Sequence, residues 1–130
     1  MRAPISMRAL VSASALWAVA TFAAAGEVPF NQARFDAALA QGKPVIVDFA
    51  ADWCPTCKEQ KPIVQGLLKD PKRKELNFFV ANFDTETALK KRLGITMQST
   101  FVVFKAGKEV GRATGQTQKD AIAELFDKAL

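Results

Sequence analysis

The residues best suited to chemistry in this chain are its two cysteines, which form the motif Cys54-Pro55-Thr56-Cys57. Residues three apart on a helix face the same side, roughly 5–6 Å apart at Cβ, so a disulfide between them can form and open with little backbone movement. Free N–H groups and the dipole at a helix start favour an anion and lower the pKa of a thiol there. We therefore expect Cys54 to be the attacking thiolate and Cys57, one turn further in, the more shielded resolving thiol.

A structural disulfide and half of a metal site are the alternatives for this pair. A bridge enclosing only two residues constrains the unfolded chain little, so it would add little stability. A metal site would need further ligands from carboxylates or from another chain, because the sequence has no histidine and no third cysteine. We favour a redox role, which a CxxC pair next to an α/β pattern typically indicates.

The rest of the composition excludes most other catalytic chemistry. The 130 residues contain no His and no Tyr, which removes Ser-His and Cys-His nucleophile pairs, a histidine proton shuttle and the usual zinc sites. Basic residues cluster only at 72–74 and 90–92, each cluster flanked by acids and without interleaved aromatic residues. We interpret both clusters as solvated helix ends or turns, and we expect no nucleic-acid partner.

Residues 1–25 match the three parts of a secretory signal. Arg2 and Arg8 precede an uncharged, Ala-rich run of about 17 residues that ends in small residues. We expect cleavage after Ala25, which lowers the net charge from +5 to +3 and leaves residues 26–130 as the mature domain. An uncleaved membrane anchor is the alternative, although the run is at the short limit for a transmembrane helix.

Extended segments in the rest of the chain predict the strands of one α/β unit. Residues 45–50 and 76–84 are rich in β-branched and aromatic side chains, which is typical of central strands covered by helices on both faces. Residues 101–104 and 109–112 flank a turn and predict a hairpin. A short leading strand is expected near residues 28–30.

Helical periodicity places three helices between these strands and a fourth helix after the last strand. Asn31 caps the first and Gly42 ends it. Thr117 with Asp120 resembles a capping box that begins the last helix. The four predicted spans are 31–42, 54–68, 86–93 and 117–130. Cys54 therefore lies where a buried strand gives way to a helix.

The sequence around the cysteines strongly resembles the thioredoxin family. The similarity is clearest at residues 45–58, VIVDFAADWCPTCK, and it continues to the last helix, covering nearly all of residues 43–130. The segment is similar also to the C-terminal thioredoxin-like domain of the bacterial periplasmic thiol-disulfide interchange protein. The resemblance implies an α/β thioredoxin-like fold, with a central mixed sheet of four to five strands flanked by helices, and dithiol-disulfide exchange as the activity.

The resemblance also implies roles for individual residues. Cys54 would be the nucleophile, Cys57 the resolving thiol that forms a disulfide with it, and Trp53 the flat surface beside them. Asp48 matches the family's buried acid. A carboxylate on an apolar strand is desolvated, which raises its pKa toward the range useful for taking a proton from Cys57. A solvent-facing Asp48 at the strand end is the alternative.

Two positions depart from the family pattern. Ser99 stands where thioredoxins have a cis-proline, in the loop with Thr100 that would contact substrates. A cis bond before a non-proline residue costs roughly 2.5–4 kcal/mol, which favours a trans Gln98–Ser99 bond without deciding between the two forms. Ser99 would then offer a hydrogen-bonding group, or the loop would open enough for another ligand to reach the sulfurs. Val80 replaces the lysine that usually pairs with the buried acid, which makes Asp48 harder to ionise.

These features predict an exported thiol-disulfide oxidoreductase that works as a reductant in the bacterial periplasm. We expect disulfide-containing client proteins as substrates, a membrane electron conductor as donor, no cofactor, no resident metal and a monomeric state. A periplasmic thiol oxidase would use the same residues, although the absence of His between the cysteines favours the reductant. A non-enzymatic carrier that holds a metal or cluster between two copies of the dithiol, permitted by Ser99, is the third possibility.

Overall fold

The computed structural model describes residues 25–130, so the expected signal segment lies, except for Ala25, outside the described residues. A five-stranded sheet has helices on both of its faces. No helix in this part of the chain has both the length and the apolar character needed to cross a bilayer. The strands are β1 (Glu27–Pro29), β2 (Val45–Ala50), β3 (Asn77–Asn82), β4 (Thr100–Lys105) and β5 (Lys108–Thr114), and the helices are α1 (Gln32–Ala40), α2 (Pro55–Leu68), α3 (Thr87–Leu93) and α4 (Lys119–Asp127).

The sheet is mixed, in the order β1-β3-β2-β4-β5. Strand β3 pairs in parallel with both β1 and β2, whereas β4 pairs in antiparallel with β2 and β5. The predicted α/β fold with a mixed sheet of four to five strands is confirmed. Because β2 is the central strand, the chain leaves the middle of the sheet at Ala50. Helix α2 begins shortly afterwards, at Pro55.

Alternate side chains of β2 enter two separate cores. Val45, Val47 and Phe49 pack with residues of α1 and α3, whereas Ile46 packs with residues of α2 and α4. Successive side chains of a strand point to opposite faces, so Asp48 shares the face of Ile46. The acid therefore lies on the face covered by α2, the helix that begins at the cysteines.

The first three helices begin and end close to their predicted bounds, but the prediction for the last helix is wrong at its start. α4 begins after Gln118, and no side chain caps it, so Thr117 and Asp120 form no capping box. The Gln118 backbone N–H instead donates to Oε1 of Gln116 at 2.9 Å. This local bond forms a turn at residues 116–118, and α4 begins after that turn.

The interpretation of residues 72–74 as a solvated turn is wrong for Arg73, which is buried. Its Nε and Nη2 donate to the Asp127 carboxylate at 2.8 and 3.1 Å, and its Nη1 donates to the Leu67 carbonyl at 3.3 Å. A guanidinium tolerates burial here because three of its nitrogens find acceptors. The bonds from Arg73 to Asp127 therefore connect the short 3₁₀ turn Pro71–Arg73 to the end of α4. Residues 90–92 form the last turn of α3, as predicted.

Candidate active site

The dithiol lies at the junction of β2 and α2. Cys54 is the N-cap of α2, and its Sγ accepts a hydrogen bond from the Cys57 backbone N–H at 3.1 Å. Pro55 occupies the first helical position, where its missing N–H leaves no intrahelical bond unmade. A disulfide joins Cys54 and Cys57, whose Cα atoms are 5.3 Å apart. The described state is therefore the oxidised one, and a backbone donor is already aimed at the Cys54 sulfur.

The exposure of the two cysteines is the reverse of the prediction. Cys54 is fully buried, whereas Cys57 is partly exposed and lines a surface cavity. Ser99 contributes to the burial of Cys54, since its Oγ lies 2.9 Å from the Cys54 Sγ and 3.2 Å from the Cys57 Sγ. Neither sulfur of a disulfide carries a proton, so the single proton of the hydroxyl is shared between the two contacts. Ser99 thus covers the sulfur that was expected to be accessible.

The backbone fixes the position of the Ser99 hydroxyl. Ser99 has φ of 59°, in the left-handed region that residues other than glycine seldom adopt, and the Gln98–Ser99 bond, which the sequence left open, is trans. Its N–H donates to the Phe49 carbonyl at 2.8 Å, and its carbonyl accepts from the Gly115 N–H at 2.9 Å. The loop is therefore bonded to the end of β2 on one side and to the segment after β5 on the other.

Gln60 is a site residue that the sequence analysis missed. It is buried in α2, and its Nε2 donates to the Ser99 carbonyl at 3.4 Å and to the Gln116 carbonyl at 2.9 Å. Its spacing could have predicted this burial: Gln60 lies three residues after Cys57 and four before Val64, on the apolar side of the helix. A polar residue at such a position indicates an interior acceptor that needs a donor.

Asp48 is only 8% exposed, so the solvent-facing alternative does not hold. Burial, and secondly the nearby charge of Glu27, raises the pKa of the Asp48 carboxyl to about 7. Its Oδ1 has no hydrogen-bond partner among residues 25–130. The strand register pairs Asp48 with Val80, so an apolar side chain occupies the place of the missing lysine. The carboxyl can therefore hold or release a proton near neutral pH.

Asp48 and Cys57 line the same cavity, which has a volume of about 520 Å³. The cavity lies beside β1, the end of β2 and the first turns of α2. Lys58 and Lys61 line it from the helix, and Glu27 lines it from β1. A proton acceptor and one sulfur of the disulfide thus share one solvent-connected space.

Trp53 is the most exposed large apolar residue of the site, at 57%. Its Nε1 donates to Oδ2 of Asp84 at 2.8 Å, and the Asp84 backbone N–H donates to Oδ1 of Asn82 at 2.9 Å. These bonds hold the indole beside the dithiol with its ring available to solvent. The sequence analysis had not singled out Asp84 as the residue that positions this ring.

The predicted substrate contact at Thr100 is not supported by its position. Thr100 is buried in β4, and its Oγ1 donates to the Met97 carbonyl at 2.8 Å and contacts the Thr114 hydroxyl at the same distance. These interior bonds occupy the side chain, so it offers no surface to a client. Met97, three residues earlier, is the exposed apolar residue of this loop.

Comparison with known proteins identifies the fold. The family model for thioredoxin matches residues 27–128. The chain belongs to the thioredoxin family. It is 36% identical over 102 residues to a thioredoxin H-type from Chlamydomonas reinhardtii, a match that covers 75% of this chain and 88% of the relative. The crystal structure of Trxlp from Edwardsiella tarda EIB202 superposes with a TM-score of 0.75 at 37% identity, covering 78% of this chain and 98% of that one.

Membership in the thioredoxin family assigns the activity in general terms. Thioredoxins act on disulfide-containing substrates, and this chain carries their CxxC pair as Cys54 and Cys57. The protein is therefore a thiol-disulfide oxidoreductase. Within residues 25–130 no group of three or more His, Cys, Asp or Glu side chains is arranged to hold a metal ion. A metal or cluster carrier would consequently need ligands from a second molecule.

Proposed function

We propose that this thioredoxin-family protein is exported and works in the bacterial periplasm as a reductase of disulfide-containing client proteins. The observation that supports this direction best is the buried Asp48 carboxyl in the same cavity as Cys57. A reductase must deprotonate its resolving thiol before it can release a client. A carboxyl whose pKa is about 7 suits that transfer at neutral pH.

The reaction begins with the reduced dithiol. The Cys54 thiolate attacks one sulfur of the client disulfide, which forms a mixed disulfide and releases the other client sulfur as a thiolate. Asp48 then takes the proton from Cys57, and the Cys57 thiolate attacks the Cys54 Sγ. The client leaves fully reduced, and the protein is left with the Cys54–Cys57 disulfide of the described state. Because Ser99 covers Cys54 in that state, the Ser99 loop must be displaced while Cys54 is joined to the client, and it closes over Cys54 when the client leaves.

The proposal of export rests on the signal-like segment 1–25, with its two arginines, its apolar run and its small residues at the end. No NADPH-linked reductase is expected outside the cytoplasm, so a membrane electron conductor would return the protein to its reduced state. We expect the protein to act as a monomer. N-terminal sequencing of protein recovered from the periplasm tests the cleavage after Ala25, and recovery of uncleaved protein in the membrane fraction would support the anchor instead.

A trapping experiment tests the reductase assignment. The Cys57→Ser variant cannot resolve the mixed disulfide, so it should accumulate clients bound through Cys54, whereas Cys54→Ser should accumulate none. The wild-type protein, reduced beforehand, should reduce insulin. Absence of both adducts and insulin reduction would contradict the proposed enzyme.

A periplasmic oxidase is the second candidate, and one observation favours it. Both the Cys57 N–H and the Ser99 hydroxyl donate to the Cys54 sulfur. Donors that stabilise a thiolate stabilise the reduced protein, which makes the disulfide more oxidising. The reduction potential of the Cys54/Cys57 pair decides between the two directions, because potentials of related proteins run from about −270 mV to −120 mV. A value above roughly −150 mV would assign the protein as an oxidase.

A further inference from the structure

The two cysteines differ in exposure: Cys54 is fully buried, whereas Cys57 is partly exposed and alone of the pair lines the cavity. We propose that a small zwitterionic thiol, with the chemistry of an amino acid or short peptide, binds in this cavity and reduces the oxidised protein by attacking Cys57. The inference rests on the proposed function, since it names a second reductant for the same dithiol, beside the membrane electron conductor. It makes Cys57 the entry point for electrons, while Cys54 remains the sulfur that attacks clients.

Access is the first argument for attack at Cys57. An incoming thiolate must touch the sulfur that it attacks, and Cys54 is fully buried, with the Ser99 Oγ 2.9 Å from its sulfur. Bonds to Phe49 and Gly115 hold the backbone of Ser99 in place. A protein client can displace this loop through its own contacts, but a small thiol has few contacts with which to do so. Cys57 is partly exposed and lines the cavity, so the cavity offers a small thiol an approach to this cysteine that does not pass through the Ser99 loop.

The leaving group is the second argument. Attack at Cys57 expels Cys54 as a thiolate, which receives hydrogen bonds from the Cys57 N–H at 3.1 Å and the Ser99 hydroxyl at 2.9 Å. Attack at Cys54 would expel Cys57, whose sulfur has the Ser99 hydroxyl at 3.2 Å but no backbone donor among the described bonds. A thiol of lower pKa leaves faster in thiol-disulfide exchange. Access and leaving-group stability therefore favour the same sulfur.

The charges around the cavity indicate which small thiol fits. Lys58 and Lys61 line it, and neither side chain forms an ion pair within residues 25–130. Glu27 and Asp52 line it as well, and the Asp48 Oδ1 is buried there with no hydrogen-bond partner in the described part of the chain. A carboxylate would bind the lysines, and an ammonium group would bind the acids. The volume of about 520 Å³ lies within the range of roughly 300–1,000 Å³ found for small-molecule sites.

The exchange balances with two molecules of the small thiol. The first enters as a thiolate, its proton having gone to solvent; its sulfur bonds to the Cys57 Sγ, the Cys54–Cys57 bond breaks, and Cys54 becomes a thiolate. A second thiolate attacks the sulfur of the bound molecule, which leaves as the symmetrical small disulfide and frees the Cys57 thiolate. Both protein thiolates then take protons from solvent. Two thiols are oxidised to one disulfide, and the protein disulfide is reduced to a dithiol.

The site of attack can be read directly from the mixed disulfide. The oxidised full-length protein is mixed with cysteine, quenched in acid at successive early times and alkylated, and the tryptic peptide that ends at Lys58 is fragmented in a mass spectrometer. We expect cysteine on Cys57 and the alkyl group on Cys54 at the earliest times. Cysteine on Cys54 at those times would overturn the proposal.

Recognition is tested with three thiols that differ by one group each. Cysteamine is cysteine without the carboxylate, and 3-mercaptopropionate is cysteine without the ammonium group. Second-order rate constants for reduction, expressed per thiolate, should be largest for cysteine. Lys61→Gln should slow cysteine and 3-mercaptopropionate by roughly two- to fivefold, the range of an exposed ion pair, and leave cysteamine unchanged. Lys69→Gln, an exposed lysine at the far end of the same helix, is the matched control and should change none of the three rates.

Failure of this inference differs from failure of the proposed function. Equal rates for the three thiols, or an equal response of all three to Lys61→Gln, would remove the zwitterion site. Insulin reduction by protein that has been reduced beforehand with dithiothreitol does not depend on the cavity as an entry route. Activity in that assay together with attack at Cys54 would leave the reductase standing and refute the entry of electrons at Cys57.

Discussion

The Ser99 hydroxyl lies 2.9 Å from the Cys54 sulfur, and it occupies the position where thioredoxins have a proline, which has no donor to offer. A change of one residue type thus has two consequences. It covers the nucleophile in the oxidised state, and it adds a second donor to the one that the N-terminus of α2 provides. Ser99 is therefore central both to the access of substrates and to the redox potential of this protein.

Removal of the Ser99 hydroxyl should raise the pKa of the Cys54 thiol. A hydrogen bond to a charged group contributes about 1.5–3 kcal/mol, so its loss disfavours the thiolate relative to the thiol. Thiolate absorbance against pH, measured in the Cys57→Ser background so that one thiol titrates, gives the change for Ser99→Ala. The same loss should lower the reduction potential of the otherwise wild-type protein.

Ser99→Gly is the control for the strained backbone at this position. Glycine adopts the positive φ of Ser99 without steric cost, whereas alanine does not, and both lack the hydroxyl. Equal pKa increases in the two variants would assign the effect to the hydroxyl. A change in the alanine variant alone would assign it to the backbone, and no change in either would show that Ser99 does not stabilise the thiolate.

Gln60→Leu should destabilise the protein by about 0.5–1.5 kcal/mol, because the partly buried Gln116 carbonyl loses the donor it now has at 2.9 Å. The Ser99 carbonyl keeps its bond from Gly115, so the loss falls mainly on Gln116. Urea unfolding of the oxidised protein measures the change. Gln65→Leu, at an exposed position of the same helix, should change the free energy of unfolding by less than about 0.5 kcal/mol. Similar losses in the two variants would show that the bonds of Gln60 add no stability.

The sheet and the positions of its helices could be predicted from the sequence because their signals are local. The apolar run at residues 45–50 indicates a central strand, and Gly94, which ends α3 in the left-handed conformation, is a recognisable stop. The buried acid followed from one polar residue on that strand. Burial of Arg73 was missed because its partner, Asp127, lies more than fifty residues away.

The exposure of the cysteines could not be predicted from the motif alone. It depends on where a loop from the other half of the chain places one hydroxyl, and that placement rests on bonds from Ser99 to Phe49 and Gly115. Helix geometry indicates that Cys54 lies at the end and Cys57 further in, but it does not specify what packs over the end. The Ser99 substitution was visible in the sequence, whereas its contact with both sulfurs required the tertiary structure.

Arg73→Met should destabilise the protein more than Lys72→Met, although both side chains bind Asp127. Lys72 is largely exposed, and an exposed ion pair contributes at most about 1 kcal/mol. Arg73 is buried and also donates to the Leu67 carbonyl, which would lose that bond. We expect a loss of about 1–3 kcal/mol for Arg73→Met in urea unfolding. Equal losses of unfolding free energy in the two variants would mean that the buried guanidinium of Arg73 stabilises the protein no more than the exposed ammonium of Lys72.

Asp48 should make the folded protein less stable as the pH rises. The pKa of its carboxyl is about 7 in the folded protein, above the ordinary value of 3.8 that applies after unfolding. Between those values the folded state holds a proton that the unfolded state has lost, so stability falls from about pH 4 to about pH 7 and then levels off. Asp48→Asn has no such charge to bury. It should be more stable than the wild type at pH 8, by up to about 4 kcal/mol, and the difference should disappear at pH 4.

Urea unfolding of the oxidised protein at pH 4, 6 and 8 measures this dependence, with Asp52→Asn as the matched control. Asp52 is an exposed acid that lines the same cavity, so its removal should leave the pH dependence nearly unchanged. Asp48→Asn should at the same time slow insulin reduction at pH 7, because Cys57 loses its proton acceptor. A variant that is stabilised at pH 8 yet reduces insulin at the wild-type rate would show that Asp48 is costly to bury but takes no part in deprotonating Cys57. Stabilisation at pH 8 together with slower insulin reduction at pH 7 in Asp48→Asn would assign both effects to one carboxyl.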